Sequence, residues 1–222
     1  TKSLLYGRSC VVIKRFYKTH NFSRFQSIRD YEQYLAKISS QSVPDLSKMK
    51  KAVASLQSKD IPLSNFCLRQ FLLTYAKLDM SSSLESIFSS LREQHGDDQF
   101  CFTVMLKFYG RKKDSVKFKE LNEELLSRGY DLSPLYYTAI GTFYGSTENF
   151  KEVKEILDNM NDVMSKGKFI SSVINAALSH KLKNFAFKWA EYCLDNNINF
   201  GNNVVNKLIY LPNNTSSIKE IQ

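Results

Sequence analysis

The feature that most constrains the fold of this chain is a layout of apolar residues that returns about every 35 residues. It is clearest in the middle of the sequence. Tyr137 lies 35 residues after Phe102, and Met160 lies 35 residues after Leu125, so two separate landmarks give the same period. Self-similarity at this spacing is typical of proteins that stack copies of one small structural unit.

Each unit contains two stretches of apolar residues at helical spacing, which predicts a pair of α-helices joined by a turn. In the clearest unit the first helix is expected around Phe102–Tyr109 and the turn at Gly110–Asp114. The apolar face of its second helix is formed by Val116, Phe118, Leu121, Leu125 and Leu126. The next unit has its turn at Gly145–Asn149 and its second helix at Phe150–Met160. Glycines that suit helix ends are expected to close the units. They are Gly96, Gly129, Gly167 and Gly201.

This period extends over residues 30–211 and divides them into about five helical hairpins plus one extra helix. A hairpin of two short helices cannot bury its apolar faces alone, but stacked hairpins share a continuous core. The chain is therefore predicted to be all-α, an α-solenoid of stacked helix-turn-helix repeats with its aromatic stripes packed inside. The residues of these stripes are Phe102, Phe108, Tyr109, Phe118, Tyr137, Phe143, Tyr144 and Phe150. Residues 212–222 are interpreted as a polar tail or the start of a further repeat.

Residues 1–29 form a separate basic segment with no Asp or Glu. Its cations are Lys2, Arg8, Lys14, Arg15, Lys18, Arg24 and Arg29. A basic, acid-free start with interspersed serines resembles a mitochondrial presequence, with a processing site at Arg15-Phe16-Tyr17. Loss of residues 1–17 would reduce the net charge from +9 to +5, which still favours a polyanionic partner. A basic arm that touches RNA and an ordinary first helix are the alternative interpretations.

The sequence contains no pattern typical of an enzyme, a metal site or a membrane protein. Its three histidines occur in no HExxH motif, no glycine-rich phosphate loop is present, and the four cysteines share no short spacing. The longest apolar runs are far shorter than the roughly 20 residues that a membrane-spanning helix needs. We therefore predict no catalytic activity, no cofactor, no small-molecule substrate and no membrane span, with the cysteines reduced and mostly buried.

The repeated unit resembles that of the pentatricopeptide-repeat family of organellar RNA-binding proteins. The matching segments are Tyr137-Thr138-Ala139-Ile140, Phe150–Met160 and Ser127-Arg128-Gly129-Tyr130-Asp131. The resemblance covers about residues 30–210 and is strongest in the middle two units, with the degeneracy of fungal mitochondrial members. It implies a right-handed superhelix with single-stranded RNA along its concave face, one base per repeat.

The resemblance also implies which side chains read the RNA. In this family a polar residue directly after the helix-opening residue contacts one base, helped by the last residue of the repeat. The first set is Arg69, Thr103, Thr138, Ser171 and Asn206, and the closing residues include Ser133 and Lys168. Arg111, Lys112 and Lys113 form a basic cluster that either holds phosphates or is a solvated surface. The alternative interpretation of the polar residues is that they cap helix N-termini.

The leading hypothesis is therefore a single-stranded RNA-binding protein of the mitochondrial matrix. Mitochondrial mRNA or rRNA would be its partner, and RNA processing, stability, splicing or translation its role. The alternative is a protein-binding α-solenoid that serves as a mitochondrial ribosome subunit or an assembly factor. A cytosolic repeat scaffold with a fortuitously basic N-terminus is a third interpretation.

Overall fold

Eleven α-helices make up most of the part of the chain that the computed structural model describes, which is Phe22, Phe25 and residues 27–210. In order, they are α1 Ile28–Ser39, α2 Leu46–Ser58, α3 Asn65–Lys77, α4 Ser81–His95, α5 Gln99–Lys112, α6 Ser115–Ser127, α7 Pro134–Ser146, α8 Phe150–Asn159, α9 Val163–Ser179, α10 Lys183–Asp195 and α11 Asn202–Ile209. No strand occurs within these residues, which confirms the predicted all-α class. The predicted presequence and the tail at 212–222 lie almost entirely outside them.

The chain divides into two compact units, residues 1–101 and 102–222, and in the first of these α1 packs against α2 and α3. Helix α1 begins with a capping box, because Ser27 and Asp30 each accept a backbone N–H from the other. The core of the first unit is apolar and closely packed. It contains Tyr31, Leu35, Ile38, Met49, Ala52, Val53, Leu56, Cys67 and Phe71. Lys59 Nζ donates to the carbonyl of Phe25 at 2.6 Å and holds the segment before α1 on this core.

The second unit is organised around α7 and α9, which lie unusually close together. A β-carbon on Gly141 would lie 2.7 Å from the carbonyl oxygen of Phe169, and one on Gly145 would collide with the backbone of Val173. The two helices can therefore pack backbone against backbone only because α7 has glycine at both places. Helices α8, α10 and α11 pack around this pair, each in contact with α7 or α9.

Four of the turns between paired helices share one conformation. A residue with positive φ follows α3, α5, α7 and α9, at Asp79, Lys113, Glu148 and Lys181. These residues are 34, 35 and 33 positions apart. In each turn the next N–H reaches back to a carbonyl five residues earlier, as from Leu182 to Ala177 at 2.9 Å, which is the bond of a Schellman motif. The repeat is thus visible in the backbone as well as in the sequence.

Three glycines have a different role from the predicted one. Gly110 and Gly145 were expected in turns and Gly167 at the end of a unit, but they lie inside α5, α7 and α9. These predictions were wrong because the three glycines allow another segment of the chain to approach the helix closely. A β-carbon on Gly110 would lie 3.2 Å from Phe143 Cβ, and one on Gly167 would lie 2.7 Å from the carbonyl oxygen of Asn199.

Two residues assigned to the apolar face of α6 also point elsewhere. Val116 is 64% exposed and Leu126 is 46% exposed, whereas Phe118, Leu121 and Leu125 are buried. Successive residues of an α-helix are about 100° apart, so the spacing of the three buried residues defines one stripe that leaves both exposed residues outside it.

Candidate nucleic-acid interface

The predicted base-reading residues occupy equivalent positions in their helices. Arg69, Thr103, Thr138 and Asn206 are each the fifth residue of a helix, in α3, α5, α7 and α11. Ser171 is the ninth residue of α9, because Asp162 caps that helix about one turn earlier than the period predicts. None of these five residues is a cap. The N-caps of α3, α7 and α11 are Ser64, Ser133 and Gly201, so the capping interpretation of the five residues is wrong.

Three of the predicted residues line one open groove in the second unit. Thr138 comes from α7, and Lys168 and Ser171 come from successive turns of α9. The groove has a volume of about 560 Å³ and no carboxylate among its lining residues. Its other polar lining residues are Ser172, Asn175, Asn199 and Asn203. The sequence prediction therefore identifies residues from two helices that lie at one surface.

The groove offers both hydrogen-bond donors and acceptors. Thr138 Oγ1 donates to the carbonyl of Pro134 at 2.9 Å, which leaves the hydroxyl oxygen able to accept. Ser171 Oγ accepts the N–H of Gly201 at 3.0 Å, so its own O–H is a donor. Such groups, together with the amides of asparagine, can pair with the edges of nucleic-acid bases.

Five polar residues at or beside this surface, Ser172 among them, were not predicted from the sequence. Asn175 accepts from Lys207 Nζ at 2.6 Å, which fixes an ammonium group next to the groove. Asn199 and Asn203 come from the segment that leads into α11 and its first turn. Asn175 follows Ser171 by four residues, and Lys207 follows Asn203 by four residues. Since residues four positions apart are neighbours on a helix surface, one member of each pair could have indicated the other. Nothing in the sequence places Asn199 in the groove.

Two apolar side chains are exposed at the same surface. Val163 is 72% exposed and Met164 is 65% exposed, and both line the groove at the first turn of α9. Large exposed apolar residues next to polar groups are a common feature of binding surfaces. In this position they can pack against the flat face of an unpaired base.

The remaining predicted readers lie elsewhere or are already engaged. In the first unit, Arg69 Nη2 forms an ion pair with Asp98 Oδ2 at 2.8 Å, and its guanidinium lies 5.5 Å from the ring centre of Phe100. Thr103 is only 1% exposed, a placement that does not favour contact with a base. Ser133 caps α7 by accepting the N–H of Tyr136 at 3.3 Å. Asn206 is exposed on α11 but does not line the groove.

The predicted basic cluster is exposed, but most of it is helical instead of lying in a turn. Arg111 and Lys112 belong to the last turn of α5, and Lys113 is the left-handed residue that follows. Burial and the nearby charge of Lys113 together lower the pKa of His180, the first residue after α9. The charge of Lys113 therefore disfavours protonation of His180.

The metal-ligating side chains of the described residues are dispersed. No group of three His, Cys, Asp or Glu among them could hold a metal ion, and no helix in this part is long and apolar enough to cross a membrane. Cys67, Cys101 and Cys193 are buried and free, and burial raises the pKa of the Cys101 thiol to about 12. Cys10 lies outside the described residues.

Comparisons of the chain with protein-family models, with curated proteins and with solved structures gave no match. The resemblance to pentatricopeptide repeats thus depends on the residues and on the helix positions given above.

Proposed function

We propose that this chain is a pentatricopeptide-like α-solenoid, a right-handed stack of helical hairpins, that binds single-stranded RNA in the groove between α7, α9 and α11. The observation that carries the proposal is the presence of Thr138, Lys168 and Ser171 in one carboxylate-free groove. The resemblance to pentatricopeptide repeats implies all three residues as RNA contacts, and their position in one groove supports the proposal.

The chemistry of the groove suits an unpaired nucleotide. Hydroxyl and amide groups can bond to base edges, and Lys168 and Lys207 carry positive charges that attract phosphates. Val163 and Met164 supply an apolar surface for the base ring. In duplex RNA the faces of the bases are stacked and their edges are paired. Single-stranded RNA is therefore the form that can use base-edge, base-face and phosphate contacts together.

The proposed location is the mitochondrial matrix, and the proposed role is in organellar RNA processing, stability, splicing or translation. The basic, acid-free segment at residues 1–29 supports import. The second unit supports an RNA role by its charge, because residues 102–210 contain fifteen Lys and Arg against twelve Asp and Glu.

The test is fluorescence anisotropy with labelled single-stranded RNA and the whole chain. Replacing both hydroxyls, in Thr138→Ala/Ser171→Ala, is expected to weaken binding about thirtyfold, since each lost hydrogen bond costs about 1 kcal/mol. Lys168→Gln is expected to weaken binding and to reduce its dependence on salt. The matched controls are Ser127→Ala on α6 and Lys154→Gln on α8, which lie outside the groove.

Two results would count against this function. One is the absence of salt-sensitive binding at micromolar protein. The other is an equal loss of affinity in the groove variants and in the two control variants, which would place the RNA contacts elsewhere on the chain.

A further inference from the structure

A second cavity in the second unit has the opposite chemistry to the groove. It lies between α7 and α8, has a volume of about 350 Å³, and is lined by Tyr136, Tyr137 and Tyr144 together with Glu152 and Glu155. A volume of this size is within the range of sites that bind small groups. Because two carboxylates lie at it, the cavity repels the phosphates of RNA and favours a cationic group.

The aromatic rings form the walls of this cavity. The rings of Tyr136 and Tyr137 have their centres 5.4 Å apart and meet at 73°, so they present surfaces in different directions. Tyr136 is buried and its hydroxyl donates to Asn122 Oδ1 at 3.0 Å, which fixes the ring. The face of a tyrosine ring attracts cations, and fixed rings do so without first losing side-chain freedom.

The carboxylates are available and close to the rings. Glu152 and Glu155 are one helical turn apart on α8, and among the described residues neither forms an ion pair or a hydrogen bond. Both carboxylates line the cavity together with Tyr144, and after burial their charges raise the pKa of its hydroxyl. A cation that entered the cavity would therefore meet negative charge as well as ring faces.

We propose that this cavity binds an arginine side chain from a partner protein. Its buried Met160 and Ile140 can cover the methylene stem, the tyrosine rings can stack on the planar guanidinium, and the two carboxylates can accept its N–H groups. The five donors of arginine match two carboxylates better than the single ammonium of lysine does. This inference does not rest on the proposed RNA-binding function, since it uses other residues and the opposite charge.

The test follows the methyl signal of Met160 by NMR in the whole chain labelled with ¹³C at methionine methyls. Met160 lines the cavity, whereas Met49 is fully buried in the first unit and serves as an internal reference. The probe is the capped peptide Gly-Gly-Arg-Gly-Gly, and its control is the same peptide with citrulline, which has the shape of arginine without the charge. The arginine peptide is expected to shift Met160 and not Met49, and the citrulline peptide to bind at least tenfold more weakly.

Charge-neutralising variants test the role of the carboxylates. Glu152→Gln/Glu155→Gln keeps the shape of the cavity and is expected to weaken the arginine peptide about tenfold, the effect of losing one charge-assisted hydrogen bond or more. Asp158→Asn on the same helix, outside the cavity, is the matched control and should bind as the unaltered chain does.

The outcomes separate the two proposals. Equal binding of arginine and citrulline peptides, unchanged binding by the double variant, or no movement of Met160 would each overturn the arginine site. RNA that competes with the peptide would also overturn it. Thr138→Ala/Ser171→Ala should bind the peptide normally, so a failure of RNA binding leaves this test unaffected.

Discussion

Lys113, Glu148 and Lys181 adopt the left-handed conformation with φ of 58°, 55° and 63° although each has a β-carbon. For a residue with a β-carbon, this conformation costs about 1–2 kcal/mol. At each of these turns the Schellman hydrogen bond forms in spite of that cost. The turn geometry therefore comes from the packing of the helices that it joins, and the residue type alone would not have predicted it.

The cost of this conformation can be measured at Lys181, which is exposed. Lys181→Gly is expected to raise the free energy of unfolding by roughly 0.5–1 kcal/mol, because the gain from removing the β-carbon exceeds the extra freedom of glycine in the unfolded chain. Lys181→Ala removes the same charge but keeps the β-carbon, so it should leave stability nearly unchanged. Urea denaturation measures both variants, and an equal change in the two would show that the conformation carries no strain.

His180 gives a second prediction at the residue scale. Its pKa lies below the ordinary 6.5 because of burial first and the charge of Lys113 second. The unfolded chain therefore takes up this proton at higher pH than the folded chain, so the folded state loses stability as the pH falls through about 6.5. Lys113→Ala is expected to raise the pKa of His180 towards 6.5, measured by NMR titration of its ring protons. Lys119→Ala is the control, and a pKa that stays the same in Lys113→Ala would contradict the effect of the Lys113 charge on His180.

At the scale of the elements, the approach of α7 to α9 depends on glycine. Gly145→Ala is expected to destabilise the second unit by about 3 kcal/mol or more, because its β-carbon would have to displace the backbone of α9 and not a flexible side chain. Gly129→Ala is the comparison. There a β-carbon meets nothing within 4 Å, and only the positive φ of 68° resists it, at a cost of about 1 kcal/mol. Thermal unfolding followed by circular dichroism measures both, and similar losses would mean that α9 moves away easily.

The same helix pair shows how far the sequence predicts the fold. The helices themselves follow from apolar spacing, which depends only on local geometry. Gly110, Gly145 and Gly167 were misread because glycine suits a turn and also suits a close helix contact, and the choice between these depends on the partner helix. Asn199 could not be assigned to the groove for the same reason, since it reaches that surface only through the packing of α9.

The tyrosine-lined cavity is a further example at this scale. Tyr137 and Tyr144 were predicted to be packing residues, and both are half-buried at the wall of a cavity. Glu152 and Glu155 repeat at the spacing of an ordinary exposed helix face, so nothing in the sequence distinguishes them from solvated charges. Their significance depends on the aromatic side chains of the neighbouring helix, which the period of the repeat does not specify.

At the scale of the whole molecule, the positive charge is unevenly distributed along the chain. Residues 1–26 contain six Lys and Arg and no acidic residue, residues 27–101 contain nine of each sign, and residues 102–210 have a surplus of three. Two thirds of the net charge of +9 therefore belongs to the first 26 residues. Affinity for a polyanion could come from that segment, without any use of the groove.

The salt dependence of RNA binding separates these two sources. Each phosphate contact on single-stranded RNA contributes about 0.7 to the slope of log affinity against log salt concentration. Lys168→Gln is expected to lower the slope by about that amount, whereas Thr138→Ala/Ser171→Ala is expected to leave the slope nearly unchanged and to change which RNA sequences bind best, because only base contacts distinguish sequences. Lys14→Gln/Arg15→Gln/Lys18→Gln should lower the slope for all sequences alike. If only the triple variant changed the slope, the affinity would come from general attraction to the N-terminal segment, and the groove between α7, α9 and α11 would have no part in binding RNA.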